Sequence, residues 1–78
     1  MIDYLEKVKE ILADRAGVDP DEVTDDSYFF DDLNIGKIEL MEVITELEDE
    51  FEISIDDEEK DEVESVGDLV GLLIEHLE

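Results

Sequence analysis

The stretch Asp31–Phe51, DDLNIGKIELMEVITELEDEF, decides how this chain folds. Its first third has the outline of a loop that delivers a nucleophile to the start of a helix. No Ser, Thr or Cys stands there; Lys37 does. From about Lys37 to Glu50 the pattern is helical, and each residue advances about 100° around the axis. Leu40, Val43, Ile44, Leu47 and Phe51 then share one narrow stripe, the core face. Glu39, Glu42, Glu46, Asp49 and Glu50 share a separate, wholly acidic sector, and Ile38, Met41 and Thr45 lie beyond it.

Working outward, Ile2, Leu5, Val8, Leu12 and Ala16 recur every three or four residues and predict a first helix from Ile2 to about Ala16. Gly17 suits the left-handed position that closes a helix. Asp19-Pro20-Asp21-Glu22 reads as one short turn with an N-cap Asp and Pro at its first position. The run Thr24–Gly36 carries Tyr28, Phe29, Phe30 and Leu33, so it is expected to lie packed on a core. Tyr4, Tyr28, Phe29, Phe30 and Phe51 are all expected in that core. Ile53 and Ile55 alternate like a strand but are too short to need a sheet partner. Asp57–Glu62 fits a short surface helix. Ser65, with Asp68 three residues on, caps a last helix whose apolar face is Val66, Leu69, Val70, Leu73 and Leu77, broadened by Leu72 and Ile74. The expected fold is all-α: a small bundle of three longer helices and one short helix, with a long loop between the first two long ones.

Charge excludes whole classes of function. Five basic residues face 28 acidic ones in 78 residues, a formal net charge of -23. Nucleic acid and anionic membranes would repel such a surface, whereas a basic protein surface would be steered toward it. Solubility or adaptation to high salt is the simpler reading of the same charge. With no Cys in the chain, disulfides, thiolate catalysis and Cys-based zinc sites are out. No apolar run approaches the roughly 20 residues of a membrane span, and the N-terminal pattern is amphipathic rather than signal-like. The expectation is a single cytoplasmic domain over residues 1–78, monomeric and not an enzyme. Close carboxylate pairs arise by chance at this acid density, and a small bundle offers little cleft to raise a carboxyl pKa. Counting a calcium loop from Asp19 places Val23 and Thr24 where a ligand and a Gly are needed, so no specific metal site is expected. His76, the only His, reads as a surface or helix-end residue.

Taken in order, several short pieces resemble the acyl carrier protein family over nearly the whole chain. They are Gly17-Val18 with Glu22-Val23, Tyr28-Phe29-Phe30-Asp31-Asp32-Leu33, Glu42, Leu47-Glu48-Asp49-Glu50-Phe51, Ile53-Ser54-Ile55, Asp57-Glu58-Glu59 and Ser65-Val66-Gly67-Asp68-Leu69-Val70. In that family the entrance of the second helix reads Asp-Ser-Leu, and the Ser hydroxyl carries a phosphopantetheine arm. The corresponding positions here read Gly36-Lys37-Ile38. An amine cannot replace a hydroxyl in an ordinary phosphodiester, so no phosphopantetheine attachment residue and no cofactor are expected. Ser27, Ser54 and Ser65 lie elsewhere and offer no substitute.

The resemblance also implies that the second helix faces partner enzymes. The expected partner-binding residues are Lys37, Ile38, Glu39, Met41, Glu42, Glu46, Glu48 and Asp49, acting on a basic protein surface such as that of a lipid or polyketide biosynthesis enzyme. Lys37 has three readings: a solvated charge among acids, a grip on an acidic or carbonyl group of a partner, or covalent amine chemistry. Nothing local would desolvate the amine and activate it, which disfavours the third. Two other functions stand beside docking. One is a working acyl or aminoacyl carrier with an atypical attachment; the other is an acidic mimic of nucleic acid. Free lipid held inside the bundle is a weaker reading.

Overall fold

The computed structural model describes residues 2–78. It contains α1 (Tyr4–Ala16), a 3-10 turn (Pro20–Glu22), α2 (Lys37–Phe51), α3 (Asp57–Asp61) and α4 (Val66–Leu77). Among the described residues there is no strand, only one isolated antiparallel bridge between Tyr28 and Ser65. The three longer helices, one short helix and long first loop match the expected bundle.

α1 begins two residues later than its apolar pattern suggests. The Asp3 carboxylate accepts from the Glu6 N–H at 3.2 Å and takes the N-cap, leaving Ile2 outside and 52% exposed. Its buried face is Tyr4, Val8, Ile11 and Leu12, while Leu5 and Ala16 are only half-buried. The inward face is thus turned from the expected stripe because α1 packs against both α2 and α4. Gly17 closes the helix at φ 67°, with the Val18 N–H also reaching the Leu12 carbonyl at 3.3 Å. Asp19 caps the 3-10 turn through the Asp21 N–H at 2.9 Å, as its sequence implied.

α2 buries Leu40, Val43, Ile44 and Leu47, the expected stripe, with Phe51 half-buried and edge-on to Tyr4 (ring centroids 5.8 Å apart, 67° between planes). Two ion pairs tie α1 to the outer flank of α2. Arg15 Nε donates to Glu46 Oε1 at 2.8 Å, and Lys7 Nζ lies 2.9 Å from Glu50 Oε1. α4 starts with a full capping box: the Asp68 N–H reaches Ser65 Oγ, and Asp68 Oδ2 accepts from the Ser65 N–H. Its inner face is Val66, Leu69 and Leu73, with Leu72 half-buried. Ile74, expected to broaden that face, is instead 44% exposed.

The long loop corrects the expectation for its aromatics. Phe29 is buried, but Tyr28 and Phe30 are exposed. Hydrogen bonds fix the backbone at Phe29: its N–H donates to the Glu64 carbonyl at 3.0 Å, and its carbonyl accepts from the Ile35 N–H at 2.8 Å. Consecutive side chains along that segment cannot all face one core, so Phe29 and Ile35 enter and their neighbours do not. The loop is pinned to the start of α4 as well, where the Gly67 N–H donates to the Asp25 carbonyl at 2.9 Å. A Cβ at Gly67 would sit 2.9 Å from that same oxygen, so the close approach requires glycine.

Candidate functional site: the entrance and outer face of the second helix

Three segments converge at the entrance of α2: the loop 28–36, the first turn of α2, and α3. Gly36 is the N-cap, in extended conformation, and has no side chain to bond the first-turn N–H groups. Lys37 follows as the first helical residue. Its side chain is 73% exposed, and Nζ lies 3.4 Å from Asp61 Oδ1 at the end of α3. The helix dipole opposes a cation at this end, whereas Asp61 and Glu39 favour it.

Two clefts flank this point. The first, about 490 Å³, lies between the loop and α3, with Phe29, Ile35 and Leu40 at its base and Phe30, Lys60 and Val63 around it. The second, about 530 Å³ and shallower, runs along the outside of α2 past Ile38, Met41, Glu42 and Thr45 to Arg15. Lys37 and Met41 wall both clefts and form the ridge between them.

The expected partner-binding residues fall into two groups. Lys37, Ile38, Glu39, Glu42 and Asp49 are exposed on α2, and Met41 is half-buried between the clefts. Glu46 is half-buried and already paired with Arg15; the hydrogen bond to Glu46 and its negative charge raise the Arg15 pKa above its usual value. Glu48 departs from the expected surface. Its side chain is 14% exposed: Oε1 lies 3.3 Å from Lys60 Nζ and Oε2 accepts from the Ile55 N–H at 2.7 Å. On a helical wheel Glu48 falls beside the core stripe, next to Lys37 and Met41, so it faces α3 rather than the acidic sector. It is a brace for the loop after α2.

Sequence reasoning also missed residues at this site. Phe30, expected in the core, stands beside the first cleft, 71% exposed. Lys60 and Asp61 reach the site only through the fold. The consecutive aromatics Tyr28-Phe29-Phe30 hold the usable signal, since three adjacent side chains in a turn cannot all point into one core.

The hydroxyls are placed as follows. Ser27 is buried and its Oγ accepts from the Thr24 N–H at 3.0 Å; Ser65 is occupied as the cap of α4; Thr45 donates to the Met41 carbonyl at 2.9 Å. Ser54 is exposed but lies in the loop after α2. His76 Nε2 stands 3.3 Å from Glu59 Oε1, joining α4 to α3. No group of three or more potential metal ligands occurs among the described residues.

Residues 6–73 match the family model described as the phosphopantetheine attachment site. The solved acyl carrier protein from Enterococcus faecalis is similar along nearly its whole length: 39% identity, TM-score 0.76, covering 92% of this chain and 91% of that one. The chain belongs to the acyl carrier protein family. Phosphopantetheine is the group this family is described as attaching, and its members are generally non-catalytic proteins that dock with biosynthetic enzymes. No helix among the described residues is long and apolar enough to cross a membrane.

Proposed function

We propose that this acyl carrier protein relative has kept docking and lost attachment. It acts as a non-enzymatic module whose α2 face, with Ile38, Glu39, Met41, Glu42 and Asp49, meets a basic surface on a partner protein. Lipid or polyketide biosynthesis enzymes are the partner class. The observation that carries this reading is Lys37 at the first position of α2, exposed and beside Asp61, where the family resemblance calls for a Ser. Its amine cannot form the phosphodiester, and the serines elsewhere are buried (Ser27), capping α4 (Ser65) or in the loop after α2 (Ser54). These residues do not fit a phosphopantetheine arm. The remaining site offers electrostatic steering and a small desolvated contact, which is what docking requires.

Intact mass tests this, measured before and after incubation with coenzyme A and a broad-specificity phosphopantetheinyl transferase. The unaltered chain is expected to gain nothing, while Lys37→Ser gains the arm. A phosphopantetheine-sized gain on the unaltered chain would overturn the proposal in favour of the second reading, a working carrier with atypical attachment; the family match keeps that reading in view. An acidic nucleic-acid mimic would act through charge alone. Ile38→Ala with Met41→Ala should weaken carrier-type docking and leave a charge mimic unaffected.

A further inference from the structure

We infer that Phe30 is a docking anchor: the surface that receives the partner runs from the loop across the Met41 ridge to Ile38, and it takes an apolar side chain ringed by lysines or arginines. This rests on the docking reading above and names what the partner must present. Ile38, 80% exposed, and Phe30, 71% exposed, are the most exposed large apolar side chains among the described residues. They stand on opposite sides of one ridge, Phe30 at the first cleft and Ile38 at the second.

The core does not account for Phe30, because Phe29 and Ile35 already fill the space beneath the loop. The backbone that carries it is held rigid. Its carbonyl accepts from the Asn34 N–H at 3.2 Å, and the Phe29–Ile35 and Phe29–Glu64 hydrogen bonds fix the residue before it. An aromatic side chain presented on a fixed backbone loses little freedom on binding, which favours its use as an anchor.

Charge complementarity identifies the occupant. Asp31 beside Phe30, Glu39 and Glu42 near Ile38, and Asp61 across the first cleft make an acidic rim around the apolar centre. Two cations in the cleft walls, Lys60 and Arg15, are each paired with a carboxylate, Glu48 and Glu46 respectively. Lys37 is the one cation on the ridge itself. A partner Lys or Arg placed directly over Met41 would meet it, so the partner's basic groups belong at the rim and its apolar group at the centre.

The test titrates the ¹⁵N-labelled full chain with two synthetic probes: an amphipathic peptide with a leucine stripe flanked by lysines, and an oligolysine of equal charge. Phe30→Ala and Ile38→Ala should each weaken the amphipathic peptide about tenfold, as expected of anchor residues. Phe30→Leu should recover most of that loss, and Ile74→Ala, an exposed apolar change on α4, should have no effect. Oligolysine binding should be the same for all of them. Unchanged binding of the amphipathic peptide to Phe30→Ala, with weakened binding to a Glu39→Gln, Glu42→Gln, Asp49→Asn variant, would overturn the anchor and leave α2 docking standing. If that triple variant also binds as the parent does, the docking reading itself fails.

Discussion

Lys37 Nζ lies 3.4 Å from Asp61 Oδ1, joining the first residue of α2 to the last residue of α3 across the mouth of an apolar cleft. Both side chains are well exposed, 73% and 63%, so solvent screens the pair and it contributes at most about 0.5 kcal/mol. The helix dipole works against Lys37 by a similar amount, about 0.3 to 1 kcal/mol. Lys37→Ser is therefore expected to leave thermal stability unchanged or to raise Tm by a few degrees. A marked fall in Tm would mean that the pair is a structural clamp, contrary to its exposure.

Two glycines of α4 should respond to alanine with opposite signs. At Gly67 a Cβ would meet the Asp25 carbonyl at 2.9 Å, and both partners are backbone held by a hydrogen bond. Gly67→Ala should cost about 1 to 3 kcal/mol. Gly71 has nothing within 4 Å of the equivalent position, so Gly71→Ala should gain about 0.5 to 1 kcal/mol from helix propensity. Urea denaturation of the two variants side by side checks the pair.

The cap of α4 carries a pH dependence. Asp68 has its pKa lowered, chiefly by the hydrogen bond from the Glu64 N–H; burial opposes this, and the hydrogen bonds with Ser65 lower it further. Folding thus favours the carboxylate. That contribution is complete above the ordinary carboxylate pKa of 3.8 and is lost as pH falls through the lowered folded value. The stability difference between the parent and Asp68→Asn should be constant near neutrality and shrink below about pH 4. Ser65→Ala should cost about 1 kcal/mol.

Salt should stabilise the fold even though it screens the ion pairs. Most of the ion pairs have at least one exposed member and are open to screening, while a net charge of -23 in 78 residues opposes compaction everywhere. Tm measured against NaCl and then MgCl2 should rise in both series, more steeply with the divalent ion. A falling Tm would show that specific pairs such as Lys7–Glu50 and Arg15–Glu46 outweigh the general repulsion.

α2 ends at Glu52 in the left-handed conformation, φ 56°, where a side chain is disfavoured. Glu52→Gly should stabilise by about 1 kcal/mol and also remove an anion from the negative end of the helix dipole. Equilibrium unfolding of that variant measures it directly.

The sequence by itself determined the features that depend on near neighbours along the chain. The stripe Leu40, Val43, Ile44 and Leu47, the left-handed Gly17, the Asp19 cap and the Ser65–Asp68 box are all set by contacts within about four residues, and each is found as its pattern implied. The acidic sector of α2 was legible for the same reason, because helical periodicity assigns every residue an angle. Only the tertiary structure decided what depended on which element lay opposite. Hydropathy rates Phe29 and Phe30 alike, yet hydrogen bonds to Glu64 and Ile35 turn one into the core and the other onto the surface. Composition counts Glu48 with the other acids, but Lys60 and the Ile55 N–H, brought beside it when α3 folds back, take it out of the surface. Local hydrogen bonds and periodicity can be read along one dimension; burial and ion pairing are properties of the face that arrives from elsewhere in the chain.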